Sequence, residues 1–386
     1  MGEKDKPDTI AVSAGRMSAA HFGAVNTPVY RTSTILHPSL ESLKTEGLAY
    51  KYGRRGTPSS RSFEEAIERL EGGARTVAVP SGLNAIATAI LSVCGAGDHL
   101  LMADSCYGPT RHFCNKTLKR FGVETTYYDP LIGGGVGELF RTNTRAVYCE
   151  SPGSLTFEVQ DVPAIAGAAH ARGASVLLDN TWATPVFFRG LDHGVDLSIL
   201  SGTKYLGGHA DVMVGTVTAN ESHAERLTAF YGDTGLFLGG DDCFLALRGV
   251  RTLPIRLRRH QANALELAGW MRTRAEVARV LYPALETDPG YALWKRDFLG
   301  SSGLFGVELK PASDDALSAF FNGFRHFGLG YSWGGFESLI IPAEFKRTAR
   351  KFEAAGPLIR LHAGLEDVDD LIADIEAGFT RMKAAP

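Results

Sequence analysis

Val176-Leu177-Leu178-Asp179 and Asp196-Leu197-Ser198-Ile199-Leu200-Ser201-Gly202-Thr203-Lys204-Tyr205 share one pattern: a short apolar run that ends abruptly on polar residues. Runs this short are strands rather than helices, and apolar side chains at consecutive positions suit a strand covered on both faces. Outward from this pair the same alternation repeats. Val77-Ala78-Val79 precedes a helical stretch from Ala85 to Val93, and Leu100-Leu101-Met102 precedes another from Arg111 to Arg120. Tyr148 lies in the apolar run Ala146 to Cys149, and Ala164 to Arg172 reads as helix. Strands alternating with helices argue for an α/β fold around a mostly parallel sheet.

The margins differ from this centre. Residues 1–45 are irregular and rich in Thr, Ser and Pro, as in an arm that contacts a neighbouring subunit. Residues 46–243 then form the large domain. Within it, Phe63, Ala66, Ile67 and Leu70 recur at helical spacing and stop at Gly72-Gly73. The glycine cluster Gly133 to Gly137 lacks the dinucleotide fingerprint and reads as a surface loop. Residues 244–386 change pattern. The amphipathic stretch Leu257 to Met271, strand-like Leu304 to Leu309 and a last helix from Val368 to Met382 predict a smaller α/β domain.

Composition narrows the partners. A formal net charge of -3 over 386 residues supplies no field to gather nucleic acid or anionic membrane, so any bound anion needs a local site. The arginines between Arg251 and His260 read as the start of a helix with a solvated or interface face. Five cysteines (Cys94, Cys106, Cys114, Cys149 and Cys243) show neither CxxC spacing nor a nearby histidine cluster, so no zinc site or disulfide framework is expected. Free thiols fit a reducing cytoplasm. The charged start Met1 to Lys6 has no apolar stretch behind it, and no run approaches the ~20 apolar residues of a membrane helix.

Chemistry concentrates at the strand ends. Ligands of open α/β sheets collect at the carboxyl ends of strands, where Asp179 and Lys204 both fall. A lysine amine condenses with an aldehyde, and a carboxylate keeps a pyridine nitrogen protonated; together they are what pyridoxal 5′-phosphate (PLP) requires. Alone, Lys204 would be a surface lysine and Asp179 a helix cap. The hydroxyls of Ser201 and Thr203 beside the lysine favour the joint reading. Pro80-Ser81-Gly82-Leu83-Asn84 is a strand-to-helix turn whose free amides suit a phosphate, and Arg54 offers a forked guanidinium.

Six motifs carry a resemblance. Tyr52-Gly53-Arg54, Pro80-Ser81-Gly82, Asp104 to Pro109, Leu178 to Pro185, Ser201 to Tyr205 and Tyr331 to Leu339 resemble, in order, the landmarks of the trans-sulfuration family of PLP enzymes. The resemblance implies an aspartate-aminotransferase-like (fold type I) large domain with a mostly parallel seven-stranded sheet, and a smaller C-terminal domain. It implies that Lys204 forms the Schiff base, Asp179 meets the pyridinium nitrogen, and Tyr107 stacks on the ring. Gly82, Leu83, Ser201 and Thr203 would hold the phosphate, helped by Tyr52 and Arg54 of a neighbouring subunit. Arg360 would bind the substrate carboxylate with Ser332, Trp333 and Tyr331 around it. Tyr107 or Tyr52 would assist proton transfer. A homotetramer built as a dimer of dimers follows from the same likeness. Ala210, before Asp211, departs from the serine usual there.

Within the family, Tyr331-Ser332-Trp333 and Glu150-Ser151-Pro152-Gly153 resemble the β-lyase form, and Pro109 stands where methionine γ-lyases carry a cysteine. The expectation is α,β-elimination of L-cystathionine to homocysteine, pyruvate and ammonia, in methionine biosynthesis. The alternatives are a γ-lyase, a broad cysteine-S-conjugate β-lyase, or a PLP-binding protein without turnover.

Overall fold

The computed structural model describes residues 5–45 and 48–385. The charged start at residues 1–4 and the expected boundary at residue 46 lie outside these. Seven strands form the first sheet: β1 (Arg75–Val79), β2 (His99–Ala103), β3 (Glu124–Tyr128), β4 (Thr144–Glu150), β5 (Ser175–Asp179), β6 (Leu197–Leu200) and β7 (Gly215–Ala219). Their order is β1-β7-β6-β5-β4-β2-β3. All neighbours run parallel except β7, which is antiparallel to both β1 and β6.

The apolar runs resolve into two layers. Val176 and Leu178 join one core cluster while Leu177 joins the other; Leu101 and Leu100 divide in the same way. A strand's side chains alternate between faces, so an unbroken apolar run is what a doubly covered sheet demands. Helices cover both faces, and each carries its own start signal. Ser81 caps the helix Gly82–Val93 by accepting from the Asn84 amide at 3.1 Å. Thr57 and Ser60 form a capping box on the helix Pro58–Glu71, which Gly72 ends in the left-handed conformation.

A second sheet of five strands follows, with β8 (Val277–Leu281), β9 (Leu304–Leu309), β10 (Gly328–Leu329), β11 (Leu339–Pro342) and β12 (Leu358–His362) ordered β10-β11-β12-β9-β8. Only β10 and β11 pair in parallel. The two sheets share one continuous apolar cluster, in which Val176 and Leu178 of β5 belong with Phe305 and Val307 of β9. Residue 244 lies inside the helix Gly240–Val250.

Two local expectations needed revision. The glycine cluster is not an open loop: Gly133–Leu139 winds as a 3₁₀ helix with Val136 buried. The N-terminal segment is not uniformly irregular either, because Pro7–Ser13 is helical. Ala11 and Ala14 are fully buried, and Arg251 Nη1 donates to both their carbonyls. Small residues four or fewer apart gave too weak a periodicity to announce this helix. No helix among the described residues is long and apolar enough to cross a membrane.

Asp104, just past β2, ties the segment between β11 and β12 to the first sheet. Its fully buried carboxylate accepts from the amides of Thr348, Ala349 and Arg350, from the Thr348 hydroxyl and from Arg111 Nη2 at 2.5 Å. Those donors hold the carboxyl below its ordinary value even though burial opposes them. The stabilisation is therefore full above the unfolded-chain value and lost as pH falls through the lowered one. Asp104→Asn, which leaves Arg111 without its charge partner, should lose about 3 kcal/mol at neutral pH. Urea titration is the check, and the gap to wild type should narrow as the medium is acidified.

Candidate active site

The carboxyl ends of β4, β5 and β6 meet the loop before β11 and the strand β12. Lys204 lies four residues beyond β6, in the turn Ser201 to Gly208, where its amide donates to Ser201 O. Lys204 Nζ donates to Ser332 Oγ at 2.5 Å and lies 5.4 Å from the centre of the Trp333 ring. Burial, and secondarily the Arg360 guanidinium, lowers its pKa from 10.5 to about 8, while Asp179 pulls the other way. Roughly a tenth of the amine is then neutral at pH 7, far more than for an ordinary lysine, as a nucleophilic amine needs.

Asp179 is the last residue of β5. Its Oδ1 accepts from the amide and hydroxyl of Thr181, and Tyr148 OH reaches Oδ2 at 3.4 Å. Burial still raises its pKa. A cationic ring nitrogen beside it would supply the countercharge it lacks. Glu150, the residue that ends β4, stands directly opposite Asp179 in the strand register. It is buried and pushed well up by desolvation and by Asp179, and its Oε2 accepts the Tyr107 amide at 2.8 Å. Tyr107 caps the helix Gly108–Phe113 with 45% of its surface exposed, leaving a ring face free.

The residues expected to hold a phosphate are placed with equal specificity. Gly82 and Leu83 occupy the first two positions of their helix, where amides have no intrahelical acceptor. A side chain at position 82 would collide with Ser201, so only glycine leaves the gap open. Thr203 Oγ1 already accepts from the Val214 amide at 3.0 Å and donates to Val214 O at 3.2 Å; it can redirect that proton to a phosphate. A helix N-terminus, a desolvated amine and a buried carboxylate around one space fit PLP.

On the opposite wall, Arg360 Nη2 donates to Ser332 O at 2.7 Å, while Nε is buried without a partner among the described residues. Burial lowers its pKa to about 10, so it stays cationic at neutral pH. Ser332 has φ +81°, unusual for a residue with a side chain. Tyr331 is almost wholly exposed, and Trp333 packs against Tyr205.

The sequence of the Cys/Met metabolism PLP-dependent enzymes matches this chain over residues 8–380. The chain belongs to that family. A Rhizobium johnstonii protein is 52% identical over 369 residues, 94% of this chain and 93% of its own length. The cystathionine beta-lyase of Salmonella typhimurium is 45% identical over 97% of this chain and 98% of its own. Among solved structures, the cystathionine gamma synthase of Xanthomonas oryzae in complex with cystathionine superimposes with a TM-score of 0.92 at 33% identity, covering 99% of this chain and all of its own. The cofactor of the family is PLP.

The structure thus gathers Lys204, Asp179, Tyr107, Ser332, Trp333 and Arg360 around one space, with the Gly82–Ser201 cradle beside it. It does not bring Tyr52 or Arg54 there on the same chain: Tyr52 bridges Thr34, and Arg54 Nη1 donates to Gly232 O at 2.9 Å. Ala210 is exposed with φ +55°, at the surface end of the lysine turn. Sequence reasoning missed Glu150 and His362. Glu150 ends an apolar run as Asp179 does, a signal that was open to reading; His362 emerges only from the strand register. Because a neighbouring cation disfavours a charged amine, Arg360→Met should raise the pKa of Lys204. In cofactor-free protein, amine acylation of Lys204 should be half-maximal near pH 8 for wild type and at higher pH for the variant.

Proposed function

We propose that this chain is a carbon–sulfur lyase of the cystathionine β-lyase type, cleaving L-cystathionine to homocysteine, pyruvate and ammonia. The observation that carries the reading is the desolvated amine of Lys204 facing buried Asp179, with the Arg360 guanidinium between Ser332 and the open space. Relatives 40–45% identical over nearly the whole chain, from Salmonella typhimurium, Escherichia coli and Haemophilus influenzae, bear that activity in their names.

Bound PLP supplies a sink for the electron pair left at the substrate Cα when its proton departs. Everything else falls to the chain. Arg360 grips the α-carboxylate through its Nε–Nη2 edge, a bidentate geometry that fixes the direction of the Cα–H bond. Lys204, neutral once freed for the purpose, would take that proton on Nζ. Asp179 would hold the ring nitrogen in its protonated form. The Cβ–S bond then breaks, homocysteine leaves as its thiol, and the remaining three-carbon fragment hydrolyses to pyruvate and ammonia. Tyr107, whose pKa burial and Glu150 raise, retains its proton at neutral pH and can pass it to the departing sulfur. Tyr52 is the second candidate for that transfer.

A shared site accompanies this reading. Arg54 and Tyr52 serve the phosphate of a partner subunit in a homodimer, and two dimers make the tetramer. Exposed Phe22, Leu36, Leu40 and Leu43 on the N-terminal segment give that interface apolar surface to cover. Five unpaired cysteines, all buried, suit the cytoplasm.

Offered L-cystathionine, the purified protein should release homocysteine with pyruvate; release of cysteine with 2-oxobutyrate would move it to the γ-lyases. Lys204→Ala should abolish both turnover and the visible absorbance of bound cofactor. Shared sites are tested by mixing inactive Lys204→Ala and Arg54→Ala proteins after dissociation. Random pairing should restore about a quarter of wild-type activity, whereas a site built within one chain would recover nothing.

A further inference from the structure

Strand β12 carries a second contact to the catalytic loop besides Arg360. His362 lies two residues further on, and alternate residues of a strand face the same side. It is fully buried, and its two ring nitrogens have partners whose roles are fixed. Gly334 N can only donate, and it does so to Nε2 at 3.1 Å; Glu337 O can only accept, and it takes a proton from Nδ1 at 3.1 Å. The imidazole is therefore neutral, with its proton on Nδ1 and a lone pair on Nε2. Burial, followed by His260 nearby, pushes its pKa well below the ordinary range and keeps it so.

Gly334 is no ordinary partner. Its φ is +86°, and a side chain there would lie 3.0 Å from the Lys204 backbone, so this loop presses directly on the lysine. Two residues earlier, Ser332 takes the amine of Lys204 on Oγ and the guanidinium of Arg360 on O. Arg360 and His362 thus hold the loop at two points, one on either side of Trp333. The two holds differ in what substrate does to them. A carboxylate on the Nε–Nη2 edge of Arg360 would draw on the same Nη2 group that holds Ser332 O. The Gly334–His362 bond involves no atom that the carboxylate would engage.

We propose that His362 is a positioning residue: it anchors the Ser332–Gly334 loop on Lys204 while Arg360, the loop's other hold, engages the substrate carboxylate. The inference rests on the roles given above to Lys204 and Arg360. It gives the loop a hold that does not depend on the group that substrate engages. An acceptor at Nε2 is the essential chemistry, and imidazole bulk is not enough.

The test compares three PLP-loaded variants with wild type. His362→Leu keeps volume without an acceptor. His362→Asn reaches Glu337 O but stops short of Gly334, and His362→Gln reaches far enough to accept from Gly334. Loss of one hydrogen bond at this point should lower kcat about tenfold in the Leu and Asn variants with a smaller change in KM, and displace the pH midpoint of the cofactor's visible absorbance by about 0.7 unit. His362→Gln should return both to near wild type. If His362→Leu does not fold, the Asn and Gln pair decides alone. Equal behaviour of Asn and Gln in kcat and in the absorbance midpoint overturns the proposal, as does a wild-type profile in the Leu variant. Absence of cystathionine cleavage by wild type would instead remove the assigned reaction, and the absorbance midpoints would still report on the anchor.

Discussion

A lysine amine withdrawn from water is the condition around which the site is arranged. Lys204 follows a strand that is buried along its whole length, so the chain enters the turn with no freedom to carry the amine back to solvent. Desolvation is the largest influence on its pKa, ahead of either neighbouring charge. The surroundings must then satisfy the amine without neutralising its reactivity. Ser332 does so with a single hydroxyl rather than a carboxylate. An ion pair at that point would have restored the charge that burial suppresses.

Holding Ser332 there requires the second sheet. Its φ of +81° is one that a residue with a side chain seldom adopts, and the +86° of Gly334 calls for glycine. Arg360 and His362 hold that loop from β12, which pairs with β9 and shares an apolar cluster with the first sheet. Asp104 works from the other direction, binding residues 348–350 beside the chain that leads into Tyr107. The candidate site is consequently a seam: Lys204 follows a strand of one sheet and Arg360 lies on a strand of the other.

What the sequence revealed follows from this division. Groups set by local structure were readable, because apolar runs mark strands and the next polar residue marks a strand end. Asp179, Lys204 and the Ser81-capped turn were found in that way, and the resemblance added Arg360 and Ser332. Groups whose roles come from packing between distant segments were not. Nothing in Leu358 to His362 announces that alternate residues reach Ser332 and Gly334, separated from them by 28 residues of chain. Arg54 is the converse case: its motif is plain, yet within one chain it bonds Gly232. Likewise Ala11 and Ala14 are too small to mark a buried helix by periodicity, although Arg251 fastens it.

Glu150 and Asp179 make the cofactor's part in stability concrete. They face each other across adjacent strands, burial raises the pKa of both, and the Asp179 charge raises that of Glu150 further. Two like charges so placed cannot both ionise without a cation between or beside them. Tyr148 and Thr181 donate hydrogen bonds to Asp179 without bringing charge, and the attraction of Lys204 lowers its pKa, yet burial outweighs all three. A protonated pyridine ring beside Asp179 would add a second cation, and would offer that charge only to the folded arrangement. Whatever binds the folded state alone stabilises it by mass action. Held in this way, the pair of carboxylates would contribute to the binding energy for PLP, linking the polar ends of β4 and β5 to both chemistry and folding.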